Sequence, residues 1–388
     1  MKVQIPLVDL WAQYLSIKDE LDAAVGRVVA ESAFVGNSGN RFVRAFEEEF
    51  AAFVGRDSCV ACGNGTDALE ILLQAAGVGP GDEVLVPAVS WIATSEAVST
   101  RGATPVFVDV LPGRYTMDPE AAAAKVTSRT KAIIPVHLYG LPASMDEICH
   151  LAQRHGLFVL EDCAQAHAAT YRARAVGTFG HAASFSFFPG KNLGAWGDAG
   201  AMLTDDPQLA RTVRMIAQHG QGERKHDHQR EGRNSRMDGL QAAILSAKLP
   251  HLRAWTEARQ RLAARYRQGL RDVVEGMQIC PDDAVNVYHL FVIEVPDRDD
   301  IASALAGRGI STTVQYPRPL PLLPAYARFG HKAEDFPVAS RLTSKILSLP
   351  LFPEMTELQQ NMVMEALTGA LRRGGVSSSR MTTPAWSI

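Results

Sequence analysis

A single lysine, Lys191, stands among apolar and small residues in the segment 184–194, which reads SFSFFPGKNLG. An ammonium group in such surroundings is poorly solvated, so its pKa falls and the free amine becomes a nucleophile toward an aldehyde. An isolated lysine at a strand end more often extends to solvent. Two neighbouring features, an acidic strand end and a glycine loop, favour the nucleophilic role.

Asp162 ends another apolar run, 158–162, which reads FVLED. Ligands of open α/β sheets bind beyond the carboxyl ends of the strands, which is where this carboxylate would lie. A carboxylate beside a pyridine nitrogen keeps that nitrogen protonated and makes the ring an electron sink. Helix capping is the alternative for a lone aspartate, but its spacing of 191 − 162 = 29 residues from Lys191 favours the functional role.

The glycine loop at 63–68, GNGTDA, joins a strand-like run to the helical segment 66–76, and Thr66 or Asp67 is expected to cap that helix. Backbone N–H groups and the helix dipole at such a junction can hold a phosphate. The loop also matches the GxGxxA pattern of dinucleotide sites, so a nicotinamide-binding oxidoreductase is an alternative. That alternative gives Lys191 and Asp162 no role.

Short apolar, β-rich runs alternate with longer helical segments, which predicts an α/β sheet covered by helices on both faces. Helical spacing of apolar residues is present at 17–30 and 42–53. Seven runs are predicted strands of one large, mainly parallel sheet: 58–61, 83–86, 105–108, 132–136, 158–160, 183–187 and 201–203.

The second half of the chain has a different pattern. Beyond residue 201 it is mostly helical, with one more strand pattern at 289–295 and a proline-rich stretch at 316–324. We predict three parts, in line with roughly 100–200 residues per domain. They are a large cofactor-binding domain with an N-terminal helical arm at 1–249, a small C-terminal α/β domain at 250–373, and a mobile tail at 374–388.

Composition limits the class of protein. The net charge of −3 gives no basic surface for nucleic acid. No apolar run is long enough to cross a membrane and no signal peptide is recognisable, so we expect a cytoplasmic protein. The five cysteines suit reduced thiols, and the pair Cys59 and Cys62 lacks a second pair for zinc. His226 and His228 lack a third ligand, so no metal is predicted.

Several segments, in order, resemble the DegT/DnrJ-type sugar aminotransferases, which are fold-type I pyridoxal-phosphate enzymes. They are GTDAL at 65–69, GPGDEV at 79–84, EDCAQ at 161–165, the Lys191 segment, and NSRMDGLQAA at 234–243. The resemblance extends from IPLVDL at 5–10 to LPLFP at 349–353, nearly the whole chain. It implies a fold-type I architecture and pyridoxal 5'-phosphate as the cofactor.

The resemblance also implies individual cofactor contacts. Lys191 would form a Schiff base with the cofactor, Asp162 would pair with the pyridinium nitrogen, and Gln165 would bond the ring hydroxyl. Trp91 would stack on the ring face, as flat rings prefer. The phosphate would be held by Gly65, Thr66, Ser186 and, from the neighbouring subunit of a homodimer with shared active sites, Asn234.

Substrate contacts follow from the same resemblance. Arg236 would bind a carboxylate of L-glutamate through a bidentate contact, although a surface ion pair is an alternative. His219 and Tyr316 are similar to residues that line the sugar pocket. Gln315 and Pro321 stand where many relatives have histidine, a departure that concerns the sugar contacts and not the cofactor chemistry.

The resulting hypothesis is an aminotransferase that moves the amino group of L-glutamate to a nucleotide-linked keto-sugar, for a surface polysaccharide or a glycosylated natural product. The freed Lys191 amine would carry the proton between the substrate carbon and the cofactor. NSRMD at 234–238 and HGQ at 219–221 look more like relatives acting on 3-keto than on 4-keto sugars. A cyclitol (scyllo-inosose-type) aminotransferase and a silent PLP-binding protein are alternatives.

Overall fold

A central sheet organises the molecule. The computed structural model describes residues 5–35, 39–222, 224 and 226–378, with the backbone alone at 373–378. The strands in this part of the chain are β1 (Ser58–Cys62), β2 (Glu83–Pro87), β3 (Thr104–Val108), β4 (Thr130–Ile133), β5 (Phe158–Asp162), β6 (Thr170–Tyr171), β7 (Arg174–Ala175), β8 (Ala182–Ser186), β9 (Gly200–Thr204), β10 (Gly276–Met277), β11 (Ala284–Val285), β12 (Phe291–Glu294) and β13 (Ile346–Leu349).

Seven strands form the central sheet in the order β1-β9-β8-β5-β4-β2-β3. β9 is antiparallel to both of its neighbours, and the other pairs in this sheet are parallel. This arrangement confirms the predicted seven-stranded, mainly parallel sheet.

One strand ends earlier than the sequence predicts. The run 132–136 was expected to be a strand, but β4 ends at Ile133. Pro135 explains the difference, because proline has no backbone N–H to donate to a neighbouring strand. Val136 then makes a single isolated bridge to Asp162, so the chain beyond β4 still lies beside the end of β5.

Helices cover the sheet on both faces. The helices of the described residues, including those that pack in the C-terminal part of the chain, are α1 (Leu10–Ser16), α2 (Lys18–Ala30), α3 (Arg41–Val54), α4 (Gly65–Ala75), α5 (Ala93–Thr100), α6 (Pro119–Ala123), α7 (Met145–His155), α8 (Pro207–Ala217), α9 (Gly239–Lys248), α10 (Leu252–Leu270), α11 (Arg298–Ala306), α12 (Pro337–Lys345) and α13 (Glu357–Ser378). In α3, Phe46 and Phe50 pack edge-on against the ring of Phe187, at centroid distances of 5.2 and 5.1 Å. Phe187 directly follows β8, so α3 supports the strand that leads to Lys191.

The N-cap of α4 differs from the expected one. Asn64 caps the helix, since its side-chain Oδ1 accepts a hydrogen bond from the Asp67 N–H at 2.8 Å. Its backbone is extended, as an N-cap requires, whereas Thr66 and Asp67 already lie inside the first helical turn. The expectation that Thr66 or Asp67 caps α4 was wrong by two or three residues.

The C-terminal part contains a smaller sheet of its own, in the order β10-β12-β13, and a hydrophobic cluster formed largely by residues from 263 to 370. β12 lies within the predicted strand 289–295. The proposed domain boundary at 249/250 falls in the 3-10 turn Leu249–His251, and the division into domains stays a prediction. α13 continues to Ser378, into the segment for which a mobile tail is predicted, and 379–388 lie outside the described residues.

No helix among the described residues is both long and apolar enough to cross a membrane.

Candidate active site

A cavity of about 420 Å³ opens beyond the carboxyl ends of β1, β2, β5 and β8. Its size and its position at the carboxyl ends of parallel strands are those of ligand sites in open α/β sheets. It brings together eight of the eleven residues that the sequence singles out as site residues. They are Gly65, Thr66, Trp91, Asp162, Gln165, Ser186, Lys191 and Tyr316.

Lys191 lies in a tight turn just after β8. Its backbone N–H donates to the Phe188 carbonyl oxygen at 2.8 Å. Gly194 allows the turn to close, because a Cβ atom there would lie 2.2 Å from the Pro189 carbonyl oxygen. Burial lowers the pKa of the Lys191 amine to about 8, and the Asp162 carboxylate opposes that change. A sizeable fraction of the amine is therefore neutral near pH 8 and can act as a nucleophile.

Asp162 closes β5 with its side chain 5% exposed. One carboxylate oxygen, Oδ1, accepts from the Ala164 N–H at 3.1 Å, and the other, Oδ2, accepts from the Thr94 hydroxyl at 2.9 Å. Burial raises the pKa of this carboxyl above its usual range, while the two hydrogen bonds and the charge of Lys191 act in the opposite direction. The side chain is thus oriented at the bottom of the cavity by two donors.

The start of α4 and the end of β8 approach each other very closely. A Cβ atom at Gly65 would lie 2.6 Å from the Ser186 Cβ atom, so only glycine fits there. The first N–H groups of a helix have no partner within it and, with the helix dipole, attract anions. Together with the Thr66 and Ser186 hydroxyls they form a cradle suited to a phosphate.

Trp91, Tyr316 and Gln165 also line the cavity. The Trp91 ring is 57% exposed and lies 5.7 Å from the Tyr316 ring, centroid to centroid. Gln165 is buried and held in one orientation, because its Oε1 accepts from the Tyr139 N–H at 2.7 Å. Its amide nitrogen therefore faces the cavity as a donor and bonds the Tyr316 hydroxyl at 3.1 Å.

Three predicted residues lie outside this cavity. His219 and Asn234 are exposed, and Asn234 pairs with Gln218 in an isolated antiparallel bridge. The Arg236 Nε atom donates to the Asn234 side-chain oxygen at 2.9 Å, so these two side chains form one unit on the surface. The structure of one chain does not bring them to the eight residues of the cavity.

One buried group of potential metal ligands, His137, Glu161 and Cys163, occurs in the described part of the chain. Two of its members already have protein partners: the His137 Nδ1 atom accepts from the Ala143 N–H at 3.0 Å, and both Glu161 oxygens accept backbone N–H groups. Burial raises the pKa of the Cys163 thiol well above its usual value, which disfavours the thiolate a metal needs. This group is therefore a structural hydrogen-bond network.

The comparisons with known proteins agree with this geometry. Residues 16–368 match the DegT/DnrJ/EryC1/StrS aminotransferase family. The chain belongs to this family. The aminotransferase is 44% identical to the pleiotropic regulatory protein of Geobacillus stearothermophilus, over 94% of this chain and 98% of that one. It is 45% identical to the UDP-N-acetyl-3-dehydro-alpha-D-glucosamine 3-aminotransferase of Acidithiobacillus ferrooxidans, over 92% of this chain and 95% of the relative.

A solved structure confirms the fold class. The crystal structure of S. venezuelae DesV in complex with a ketimine intermediate matches with a TM-score of 0.92 at 42% identity, over 95% of this chain and 99% of that one. The aminotransferase therefore has the fold-type I architecture predicted from its sequence, and it is a pyridoxal-phosphate-dependent enzyme of the sugar aminotransferase class.

The cavity of the aminotransferase fits this cofactor. The cavity contains a partly neutral lysine amine, a buried carboxylate, a glutamine donor and an anion cradle. Groups of these kinds could bind an aldehyde, a ring nitrogen, a ring hydroxyl and a phosphate. The close approach of Gly65 to Ser186 is the most specific feature, because any side chain at residue 65 would fill the cradle.

Several side chains of this site were not predicted from the sequence, above all Thr94 and Ser90. Both line the cavity, and Thr94 bonds the Asp162 carboxylate. Thr94 lies only three residues beyond Trp91, so a signal was present: a buried carboxylate needs donors, and a nearby hydroxyl on the same segment could provide one. Asp198 and Phe188 also line the cavity and were not predicted.

Proposed function

We propose that this aminotransferase moves the amino group of L-glutamate to carbon 3 of a nucleotide-linked keto-sugar, in amino-sugar biosynthesis. The observation that carries the proposal is the single cavity shared by Lys191, Asp162 and the Gly65–Ser186 cradle. The name of the A. ferrooxidans relative, a 3-aminotransferase of a 3-dehydro sugar nucleotide, supports the 3-keto substrate. All five cysteines are free thiols, which supports a cytoplasmic reaction.

Each cavity residue has a distinct task in this proposal. Pyridoxal phosphate, when bound, supplies an aldehyde that takes up the amino group and a ring that accepts electron density. Asp162 would hold the ring nitrogen in its protonated form, and the Gln165 amide nitrogen would donate to the ring hydroxyl. Trp91 would cover one ring face. The phosphate would be held by Gly65, Thr66 and Ser186.

Lys191 would act twice. Its neutral amine would hold the cofactor, and after release it would take a proton from the substrate carbon and return one on the cofactor side. The lowered pKa of about 8 suits both tasks, because a general acid and base works best when its pKa lies near the working pH. The Asp162 carboxylate keeps the pKa from falling further.

A homodimer would complete this site. Among the described residues that line the cavity, Lys191 is the one cationic side chain, yet a phosphate and a glutamate carboxylate both need positive partners. From the neighbouring subunit, Arg236 would supply a positive charge to this cavity, and the exposed Asn234 would supply neutral amide N–H donors. Large exposed apolar side chains support an interface here: Trp196 lies five residues beyond Lys191, and Trp11 and Trp196 both contact the Tyr14 ring.

The substrate class can be tested in the reverse direction. Nucleotide-linked 3-amino and 4-amino sugars and an amino cyclitol would each be given to the holoenzyme with 2-oxoglutarate, and glutamate formation would be measured. We expect the 3-amino sugar to react more than about tenfold faster than the others, as for a site selected by hydrogen bonds. Faster reaction of the 4-amino sugar would contradict the 3-keto assignment.

Two other outcomes of this reverse-direction assay would each support an alternative function. Reaction of the amino cyclitol alone would establish the cyclitol alternative. The G. stearothermophilus relative is named a regulatory protein, which favours a silent, cofactor-binding regulator as the second candidate. No glutamate with any amino compound, from a protein that binds the cofactor, would support that candidate.

A further inference from the structure

In the wall of the cavity, three side chains from different elements form one hydrogen-bonded row. The Ser90 and Thr94 hydroxyl oxygens lie 2.8 Å apart, and the Thr94 oxygen lies 2.9 Å from the Asp162 Oδ2 atom. Their exposed fractions are 2%, 0% and 5%. Ser90 follows β2, Thr94 belongs to the first turn of α5, and Asp162 ends β5. The row therefore ties the helix that follows Trp91 to the carboxylate at the bottom of the cavity.

The direction of donation in this row depends on the charge of Asp162. An ionised carboxylate has no proton to give, so Thr94 must donate to it, and Ser90 must then donate to Thr94. The dipoles of the two hydroxyl groups then both point their positive ends toward the carboxylate. At low dielectric, the hydrogen bonds within such a row strengthen one another. The remaining oxygen, Oδ1, has the Ala164 N–H as its donor.

The other groups around Asp162 do not replace this contribution. Lys191, on the turn after β8, and His137, beyond β4, both lower the pKa of Asp162, whereas burial has the larger effect and holds that pKa above its usual value. Tyr316 is neutral here, because burial and the Asp162 charge raise the pKa of its phenol. The Thr94 hydroxyl is thus one of only two direct donors to the carboxylate among the described residues.

We propose that Thr94, supported by Ser90, is a positioning residue that keeps Asp162 ionised and aimed at the ring nitrogen of the cofactor. This inference rests on the proposed role of Asp162. When the cofactor is bound, one proton is shared between the ring nitrogen and the carboxyl group. Loss of the Thr94 donor disfavours the carboxylate, so that proton moves from the ring nitrogen toward the Asp162 oxygen.

The variant Thr94→Val keeps the shape of the side chain and removes only the hydroxyl. Its matched control is Thr116→Val, because Thr116 is also buried, at 1% exposure, and its hydroxyl has no hydrogen-bond partner in the part of the chain that the structure describes. Thr94→Ser should restore the donor, and Ser90→Ala should remove only the second member of the row. Ser90→Ala also serves as the test if Thr94→Val does not fold.

The readout is the nitrogen-15 chemical shift of the ring nitrogen in bound, labelled pyridoxal phosphate, with the cofactor dissociation constant beside it. We expect Thr94→Val to move the shift toward that of unprotonated pyridine and to weaken cofactor binding roughly tenfold or more, the effect of losing a hydrogen bond to a charged group. Ser90→Ala should give a smaller shift in the same direction. Thr94→Ser and Thr116→Val should match the unaltered protein.

Asp162→Asn distinguishes failure of this inference from failure of the proposed function. If Asp162→Asn shifts the nitrogen signal but Thr94→Val does not, or if Thr116→Val shifts it as much as Thr94→Val, the inference is overturned and the role of Asp162 stands. If Asp162→Asn leaves the signal unchanged, the role of Asp162 is wrong, and the inference falls with it.

Discussion

The Gln165 amide nitrogen donates to the Tyr316 hydroxyl oxygen at 3.1 Å, across the side of the cavity. Gln165 follows β5, whereas Tyr316 belongs to the chain beyond β12, so this contact joins the central sheet to the C-terminal part at the site itself. The orientation of Gln165 comes from its other end, where Oε1 accepts from the Tyr139 N–H at 2.7 Å.

The two ends of Gln165 should differ in their effect on stability. Gln165→Ala leaves the buried Tyr139 N–H without an acceptor, which should lower the free energy of unfolding by about 1–3 kcal/mol. Tyr316→Phe removes a hydroxyl that faces the cavity and keeps the ring contact with Trp91. It should therefore lower the free energy of unfolding by about 0.5–1.5 kcal/mol. Urea unfolding of the two variants would measure both losses. Equal losses would show that the Tyr139 contact does not orient the glutamine.

Cofactor uptake should depend on pH through Lys191. Only the neutral amine attacks an aldehyde, and the pKa of this amine is about 8. The rate of reconstitution with the cofactor should therefore rise about tenfold per pH unit below pH 8 and level off above it. The Asp162 charge raises the pKa of Lys191, so in Asp162→Asn the rise should move to lower pH. Stopped-flow absorbance would follow the reaction. The same rise in both proteins would contradict the coupling of the two groups.

The cradle should not tolerate a side chain at residue 65. In Gly65→Ala the new methyl would lie 2.6 Å from the Ser186 Cβ atom, so one of the two segments must shift. Phosphate binding should then weaken, by roughly tenfold or more if one charge-assisted contact is lost. Gly79→Ala is the matched control, because nothing lies within 4 Å of a Cβ atom there. Fluorescence titration would give the cofactor dissociation constants. Unchanged binding in Gly65→Ala would exclude this cradle as the phosphate site.

Asn234 should act in the neighbouring subunit. Lys191→Ala and Asn234→Ala homodimers should both be impaired, the second through weaker cofactor binding. A heterodimer of the two variants would contain one cavity with both residues intact, and it should regain about half of the unaltered activity if the dimer is two-fold symmetric. Two affinity tags would isolate it. A heterodimer no more active than the Asn234→Ala protein would place Asn234 in its own subunit's site or outside the site.

Local patterns in the sequence were sufficient to predict much of the fold and part of the site. The seven central strands follow from short apolar runs, and Lys191 and Asp162 from their positions at the ends of two of them. The end of β4 was missed because the apolar pattern continues through Pro135, although the missing N–H ends the strand. Helix capping by Asn64 was missed for a related reason: the choice between neighbouring polar residues depends on backbone angles.

The features of the site that the sequence could not predict depend on contacts between residues far apart in the chain. Thr94 and Asp162 are separated by 68 residues, and no periodicity indicates that their side chains meet. His219, Asn234 and Arg236 were predicted from resemblance alone, and one chain places them outside the cavity. The roles proposed for Asn234 and Arg236 depend on a second subunit, which no pattern within one sequence can position.

The most direct test of the central claim is the visible absorption spectrum of the purified protein, before and after addition of L-glutamate, with Lys191→Ala measured alongside. We predict a yellow protein whose visible band shifts to that of the pyridoxamine form when glutamate is added, and a Lys191→Ala variant that shows neither the original band nor turnover. A protein that stays colourless after incubation with pyridoxal phosphate, or a Lys191→Ala variant that keeps substantial activity, would contradict the assignment of Lys191 as the residue that holds the cofactor.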